Sequence, residues 1–175
     1  GSQVIGGIPA LKEWIVNLDP SVAEVPFPGD LRTENKDFSL FEETLEKNGV
    51  KPDQIAGVIF ETFQGGSAAF MPKEYAKKLR QWCDKHDVVL ILDEVQAGFG
   101  RTGKMFGFEH YDIVPDLITC GKATTSSLPL SIVLGKSKIM NITDPVSSTH
   151  TGNPVCVAAA MANIETIIKD KLTEN

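Results

Sequence analysis

Residues 88–134 read VVLILDEVQAGFGRTGKMFGFEHYDIVPDLITCGKATTSSLPLSIVL, and this stretch decides the fold. Two apolar runs within it, residues 88–92 and 117–120, each have the length of a buried β-strand. The first run ends at a pair of carboxylates that begins with Asp93, and Lys122 follows the second run after one glycine. Open α/β sheets bind their ligands beyond the carboxyl ends of the strands. Asp93 and Lys122 are therefore the first candidates for function.

The composition is that of an ordinary globular protein. Of the 175 residues, 42% are hydrophobic and 23% are charged, and the length fits one domain. The net charge of −6, without clusters of Lys or Arg, argues against binding to nucleic acid or to an anionic membrane surface. No apolar run approaches the length of a bilayer span. We therefore expect partners that are small molecules or other proteins.

The three cysteines, Cys83, Cys120 and Cys156, are widely spaced and form no C-x-x-C pair. An odd number with such spacing favours neither a disulfide framework nor a zinc site. A reducing cytoplasm is the compartment that fits this usage best.

The remainder of the chain predicts an α/β domain with a mostly parallel sheet flanked by helices. Residues 1–37 are rich in proline and glycine, which predicts an extended lead-in with at most a helical turn or two between residues 9 and 16. A single domain is expected over residues 38–175. Its further elements are a helix capped by Ser39 and Glu42 and ended by Gly49, a strand over 55–60, a helix over 73–86, a strand over 130–134, and a helix with Asn153 as N-cap that runs through Ile168. Residues 55–92 would form a strand–helix–strand unit with parallel strands.

Two nucleotide-binding patterns overlap in the glycine-rich segment of residues 98–105, GFGRTGKM. A G-x-G-x-x-G motif of a dinucleotide fold should open a helix, but the residues that follow have no helical period. A phosphate-binding P-loop would place Lys104 on the phosphates, but Met105 stands where the magnesium-binding hydroxyl should be. The alternative is that these glycines form tight turns.

Lys122 and Asp93 suggest a different chemistry. Lys122 lies between Gly121 and the small residues ATTSS, where a desolvated neutral amine would be a nucleophile for an aldehyde. Asp93 could hold a proton on a pyridine nitrogen and keep that ring an electron sink. A solvated loop lysine and a strand-end cap are the alternatives. Taken together, the two residues favour pyridoxal 5′-phosphate as cofactor.

The segment LILDEVQAGFGRTGKMFGFEHYDIVPDLITCGKA, followed by LPLS and later by STHTGNP, resembles the class III, or omega, aminotransferases. These belong to the fold type I enzymes that depend on pyridoxal phosphate. The resemblance covers residues 55–168, and its motifs are specific in order and spacing. It implies the central part of the large, cofactor-binding domain of such an enzyme.

The resemblance also implies a role for five residues. Lys122 would bind the cofactor covalently and move a proton between the substrate and the cofactor. Asp93 would pair with the pyridine nitrogen, Val95 would pack on the ring, and Gln96 would hydrogen-bond near the phenolic oxygen. Thr149 would reach the phosphate of the cofactor in the neighbouring subunit, which implies a homodimer with shared active sites. Val95 as a core residue, Gln96 as a loop cap and Thr149 as a turn hydroxyl are the alternatives.

Two positions depart from the family pattern Glu-Pro-x-Gln-Gly-Glu, which here reads ETFQGG from Glu61. Thr62 replaces the proline, and Gly66 stands where members that use 2-oxoglutarate carry a second glutamate. The resemblance then leans towards pyruvate as the acceptor.

Full members are more than twice as long as this chain, and we interpret it as a fragment. A phosphate loop and an aromatic ring-stacking segment are expected upstream of the matched region, and a substrate-binding arginine downstream. We expect a transaminase that transfers an amino group from an amine or amino acid to a 2-oxo acid, with weak cofactor binding and little turnover by this segment alone. An aminomutase or racemase of the same family, and a non-catalytic module, are the alternatives.

Overall fold

The computed structural model describes residues 2–30, 33, 35–141 and 149–175. Its α-helices are α1 (Ser2–Ile5), α2 (Ser39–Lys47), α3 (Lys73–His86), α4 (Ser137–Met140) and α5 (Pro154–Lys169). Its strands are β1 (Gly57–Glu61), β2 (Phe63–Gln64), β3 (Ala69–Phe70), β4 (Val89–Asp93), β5 (Leu117–Cys120) and β6 (Ile132–Gly135). Short 3₁₀ helices cover Pro9–Leu11, Pro52–Gln54, Gly107–Tyr111, Lys122–Thr124 and Leu172–Glu174. None of the described helices is long and apolar enough to cross a membrane.

The main sheet has four strands in the order β1-β4-β5-β6. The first three are parallel, and β6 runs antiparallel to β5 at the edge. This confirms the predicted α/β class with a mostly parallel sheet. The strands begin and end within two residues of the predicted bounds, and β1 and β4 flank α3 as the predicted strand–helix–strand unit requires.

One face of the sheet is buried beneath α2 and α3. The side chains that face this core alternate along the three parallel strands, and they are Val58, Phe60, Leu90, Leu92, Ile118 and Cys120. Aromatic rings connect the layers: Phe60 meets Tyr75 of α3 at 6.2 Å between centroids, and Phe41 of α2 meets Trp82 of α3 edge-on at 5.0 Å. Such contacts stabilise the helix layer on the sheet beyond the burial of apolar area alone.

The opposite face carries a row of polar side chains at the carboxyl end of the sheet. Glu61 of β1 is in register with Asp93 of β4, and Asp93 is in register with Thr119 of β5. Residues in register on neighbouring strands point to the same face. Asp93 therefore lies on the face away from α2 and α3, beside the strand that leads to Lys122.

A second polar cluster holds the amino end of the sheet. Asp116, which precedes β5, accepts hydrogen bonds from Arg80 Nη1 at 2.8 Å, Lys136 Nζ at 2.6 Å and the backbone N–H of Leu90 at 2.8 Å. Its carboxylate thus joins α3, β4 and the end of β6, at the end of the sheet opposite to Lys122.

Of the three predicted cap and stop signals of the helices, two are confirmed and one is wrong. Asn153 caps α5, because its Oδ1 accepts from the N–H groups of Val155 at 3.0 Å and Cys156 at 3.4 Å. Gly49 follows α2 in the left-handed conformation, with φ of +67°. The capping box of Ser39 and Glu42 does not form: α2 is preceded by Phe38 as N-cap, without a side-chain hydrogen bond. The Ser39 hydroxyl accepts instead from the amide of Asn35 at 3.1 Å.

The segment after β1 forms the small antiparallel hairpin of β2 and β3, two short strands that were not among the predicted elements. The 3₁₀ turn at Pro9–Leu11 lies within the predicted segment of residues 9–16, whereas α1 lies outside it, so the restriction of helical structure in the lead-in to residues 9–16 was wrong. The division into a lead-in over residues 1–37 and a domain over residues 38–175 stays a prediction.

Candidate active site

Lys122 begins the short 3₁₀ turn that follows β5, and its backbone has φ of +39°. A left-handed conformation is costly for a residue with a side chain, and such strain concentrates at functional sites. The side chain is exposed, and its Nζ donates a hydrogen bond to Oε1 of Gln96 at 2.8 Å. The expectation of a desolvated amine is therefore wrong for this chain, because the amine lies at the surface with a polar partner.

Asp93 ends β4 and fixes the start of the loop that carries Gln96. Its Oδ1 accepts the backbone N–H of Val95 at 2.8 Å. No other hydrogen bond to the Asp93 carboxylate comes from the described residues, so Oδ2 is open to a ligand on that face. The strand-end cap that the sequence left as an alternative thus exists, and it occupies one oxygen of two.

Val95 packs against the backbone that leads to Lys122. A methyl group placed on Gly121 would lie 3.3 Å from Cγ1 of Val95, which is tighter than most contacts of real side chains. Glycine at this position lets the ends of β4 and β5 approach each other. Asp93, Val95, Gln96 and Lys122 are consequently gathered at one edge of the sheet.

Helix α5 contributes a residue that sequence reasoning missed. The side-chain amide of Asn163 donates to the carbonyl oxygens of Ala123 at 2.7 Å and Thr124 at 3.1 Å, within the turn that begins at Lys122. The signal was present in the sequence, since Asn163 lies on the helix face of the buried residues Cys156, Ala160 and Ile167, where a lone amide needs a partner.

Glu94, the residue after Asp93, is fully buried and binds the backbone of the loop that follows β4. Its two oxygens accept the backbone N–H groups of Gly107 at 2.8 Å and Phe108 at 2.9 Å. Desolvation raises the pKa of the Glu94 carboxyl above its ordinary value, and the two N–H donors oppose part of that shift. This contact ties the returning loop to the end of β4.

The glycine-rich segment forms turns, as the alternative reading of it predicted. Gly100 and Gly103 have φ of +92° and +83°, and the N–H of Gly103 donates to the carbonyl of Gly100 at 3.1 Å. No helix follows the segment directly, and the side chain of Lys104 is exposed. Neither nucleotide-binding motif therefore has the strand–loop–helix geometry that it needs.

Thr149 lies in an exposed turn ahead of α5. Among the described residues, no hydrogen bond joins it to Asp93, Gln96 or Lys122. The first residue of the STHTGNP motif, Ser148, lies outside the described residues, as does Ser147. The proposed role of Thr149 towards a neighbouring subunit stays a prediction.

An open cavity of about 620 Å³ adjoins Lys122 and continues along residues 126–131. Its lining combines the polar residues Ser126, Ser127 and Ser131 with the apolar residues Leu128, Pro129 and Leu130. A mixed surface of this kind can contact both an apolar group and a polar one.

Three groups at this edge fit three parts of pyridoxal phosphate. The cofactor combines an aldehyde, a basic ring nitrogen and a flat apolar ring, and the chain offers an amine, a carboxylate with one open oxygen and a valine side chain. Gly121 keeps the backbone close to Val95, so these groups are held together by the strand ends themselves.

Comparison with known proteins agrees with this geometry. The sequence profile of the aminotransferase class-III family matches residues 8–175. The chain belongs to the class III aminotransferase family. Members of this family depend on pyridoxal phosphate. The match confirms the predicted family and, with it, the fold type I assignment.

Individual class III aminotransferase relatives carry different activities. The chain is 40% identical over 152 residues to 5-aminovalerate aminotransferase of Pseudomonas putida, covering 85% of this chain and 36% of that protein. It is 36% identical to isoleucine 2-epimerase of Lentilactobacillus buchneri, covering 99% of this chain and 42% of that protein. A thermostable (S)-enantioselective omega-transaminase from Thermomicrobium roseum superposes with a TM-score of 0.87 at 29% identity, over 99% of this chain and 42% of that one. The chain thus spans about two-fifths of the length of these proteins.

Proposed function

We propose that this chain supplies the cofactor-binding edge of a pyridoxal phosphate-dependent transaminase, which transfers an amino group from an amine or amino acid to a 2-oxo acid. One observation carries the proposal: the Lys122 amine, hydrogen-bonded to Gln96, and the Asp93 carboxylate lie at the carboxyl ends of the neighbouring parallel strands β5 and β4. The cofactor, when bound, supplies an electron sink for the substrate carbon next to nitrogen.

The residues of the chain would divide the work as follows. Lys122 would bind the cofactor covalently and then hold and move a proton near the substrate carbon. Oδ2 of Asp93 would keep a proton on the ring nitrogen. Val95 would cover one face of the ring, and Gln96 would donate or accept a hydrogen bond beside the ring oxygen once Lys122 leaves it.

A racemase or epimerase is the second candidate, and a specific observation favours it. Both isoleucine 2-epimerase and the alanine/serine racemase of Pyrococcus horikoshii resemble this chain, the latter at 34% identity over 173 residues. Such an enzyme would use the same Lys122 and Asp93. Formation of a 2-oxo acid product from an amino acid would favour the transaminase, and loss of optical activity without an oxo product would favour the epimerase.

A homodimer with shared active sites is part of the proposal, with Thr149 reaching the cofactor phosphate of the neighbouring subunit. Light scattering on the purified chain, with and without cofactor, tests it.

A cytoplasmic location is also proposed, since Cys83, Cys120 and Cys156 are free and buried thiols.

The decisive test is the covalent binding of pyridoxal phosphate to Lys122. Addition of the cofactor to the purified chain should produce a visible absorbance band that is absent from Lys122→Ala. Lys104→Ala is the matched control, because Lys104 is also an exposed loop lysine and is the residue that a P-loop would need. A band that survives Lys122→Ala would refute the assignment, and ATP binding that depends on Lys104 would revive the nucleotide alternative. Absence of any band from a folded wild-type chain would favour the non-catalytic module.

A further inference from the structure

Glu94 is a buried carboxylate that the proposed chemistry leaves unused. Its side chain is fully buried, and its two oxygens accept the backbone N–H groups of Gly107 at 2.8 Å and Phe108 at 2.9 Å. An ionised carboxylate accepts at both oxygens, so this arrangement fits the charged form. The two donors lie 13 and 14 residues further along the chain. The carboxylate thus anchors the residue after Asp93 to a distant part of the loop.

Glu94 also lies inside the turn that holds the carboxylate of Asp93. Oδ1 of Asp93 accepts the backbone N–H of Val95 at 2.8 Å, and this hydrogen bond closes a ring that contains the backbone of Glu94. The shape of the ring depends on the backbone angles of Glu94, because Asp93 and Val95 are joined covalently through it. A shift of Glu94 therefore changes the distance between the Asp93 oxygen and the Val95 N–H.

The backbone contacts of Glu94 show what its side chain adds. The N–H of Glu94 donates to the carbonyl of Thr119 at 2.8 Å and extends the pairing of β4 with β5. Its carbonyl accepts the N–H of Gly98 at 2.9 Å, from a residue four positions further on. The first contact holds the strand side of Glu94, and the second moves with the turn itself. The carboxylate ties the turn to residues outside it on the loop side.

We propose that Glu94 is a positioning residue for Asp93, and that it fixes the turn between Asp93 and Val95 against the backbone of Gly107 and Phe108; this inference rests on the proposed role of Asp93. The two oxygens of a carboxylate are rigidly joined, so the hydrogen bond of Oδ1 to Val95 also sets the direction of Oδ2. A carboxylate that is already held in place loses less conformational entropy when it binds a cofactor. Glu94 would therefore strengthen cofactor binding without touching the cofactor.

The experiment measures hydrogen exchange of single backbone amides by NMR in the cofactor-free chain, expressed as protection factors. The Val95 N–H reports the contact with Asp93. The Leu90 N–H is the reference, because it lies towards the other end of β4 and donates to Asp116 at 2.8 Å. Glu94→Gln keeps the shape of the side chain but places an NH₂ donor against one of the two N–H groups. Protection of Val95 should fall by about tenfold, which corresponds to about 1.4 kcal/mol, while protection of Leu90 stays unchanged.

A matched carboxylate and a second background separate positioning from a general loss of stability. Glu109→Gln makes the same change of charge at an exposed carboxylate of this loop, whose Oε1 accepts the N–H of Phe106 at 2.7 Å. It should leave Val95 protected. In an Asp93→Ala background the Val95 N–H has lost its acceptor, so Glu94→Gln should not lower its protection further.

An equal loss of protection at Val95 and Leu90 would overturn the inference, as would unchanged protection of Val95 in a folded Glu94→Gln chain. If that variant does not fold by circular dichroism, exchange of the wild-type chain in dilute urea decides the question. The N–H groups of Val95, Gly107 and Phe108 should then share one free energy of opening, because they belong to one anchored unit. Separate values for Val95 and the other two would contradict the coupling.

No cofactor enters the exchange measurements, so their outcome does not depend on whether pyridoxal phosphate binds. Loss of Val95 protection in a chain without a Lys122-dependent band would reject the proposed function and keep the positioning contact. In a chain that binds the cofactor, Glu94→Gln should raise its dissociation constant by about fivefold or more, and Glu109→Gln should leave it unchanged. An unchanged constant in Glu94→Gln would show that Glu94 does not position Asp93 for the cofactor.

Discussion

The amine of Lys122 lies 2.8 Å from Oε1 of Gln96, so two proposed cofactor ligands contact each other directly. If Lys122 binds a cofactor covalently as proposed, its amine would leave this hydrogen bond and the amide of Gln96 would become free for another partner. The contact therefore links the two proposed ligands. It also explains how an exposed lysine keeps a defined place at the strand edge.

The charge of Asp93 can be tested apart from its structural role. Asp93→Asn keeps an oxygen for the N–H of Val95 and should leave the free energy of unfolding nearly unchanged. It removes the negative charge proposed to face the ring nitrogen, so the dissociation constant of pyridoxal phosphate, from absorbance titration, should rise by about tenfold or more. Asp93→Ala is the control that loses both contacts and should also destabilise the fold. Unchanged affinity in Asp93→Asn would mean that this carboxylate does not face the cofactor.

Asn163 should support both the stability of the chain and the turn that begins at Lys122. Asn163→Ala removes the donors to the carbonyl oxygens of Ala123 and Thr124, and we expect a loss of about 1–2 kcal/mol in urea unfolding. Cofactor binding should weaken as well, because the turn loses its anchor on α5. Thr166→Ala is the matched control on the same helix, since the hydrogen bond that the Thr166 hydroxyl donates goes to the carbonyl of Ala162 within α5. An equal loss in both variants would argue against a special role for Asn163.

The sequence predicted the elements of the large sheet because their signals are local. Short apolar runs predicted β4 and β5. The helical repeat of apolar residues predicted α3 with its observed ends, and Asn153 before Pro154 predicted the start of α5. The capping box at Ser39 was wrong because a competing local contact, with Asn35, takes the hydroxyl.

Long-range contacts of the site were beyond such reasoning. The hold of Gln96 on Lys122 joins residues that are 26 apart in sequence, and the anchor from Asn163 spans about 40. Only the pairing of β4 with β5 and the packing of α5 bring these groups together. The exposure of Lys122 depends on the same packing. The small neighbouring residues predicted a buried amine, but they do not determine which elements cover it, and in the folded chain Lys122 lies at the surface.

Two buried tyrosines should respond in opposite ways to loss of the hydroxyl. Tyr75 is buried beneath Phe38 and Phe60, and no hydrogen-bond partner for its hydroxyl exists among the described residues. Tyr75→Phe should therefore raise the free energy of unfolding by up to about 1 kcal/mol. The hydroxyl of Tyr111 donates to the carbonyl of Thr62, so Tyr111→Phe should lower it by about 1–2 kcal/mol. Thermal unfolding of both variants checks the pair, and destabilisation by Tyr75→Phe would reveal a partner for that hydroxyl.

Asp116 should give the chain a measurable acid dependence of stability. Burial alone would raise the pKa of this carboxyl, but the contacts of Lys136, Leu90 and Arg80 outweigh burial and lower the pKa from 3.8 to about 2. A carboxyl whose pKa is lowered by folding stabilises the folded state at every pH above its pKa in the unfolded chain. This stabilisation is lost as the pH falls through its pKa in the folded state. The stabilisation should therefore be complete at neutral pH and fade between about pH 4 and pH 2.

Asp116→Asn tests this dependence with the least change in shape. The variant keeps an oxygen for the Leu90 N–H, but it removes the countercharge from Lys136 and leaves Arg80 with Asp84 as its remaining carboxylate among the described residues, so we expect a loss of about 2 kcal/mol at pH 7. The difference between wild type and variant should shrink as the pH falls from about 4 to 2, because the wild-type carboxyl then becomes neutral as well. Other carboxylates titrate in both proteins and cancel in the comparison. A difference in unfolding free energy that stays constant over this range would show that the contacts with Arg80 and Lys136 do not lower the pKa of Asp116.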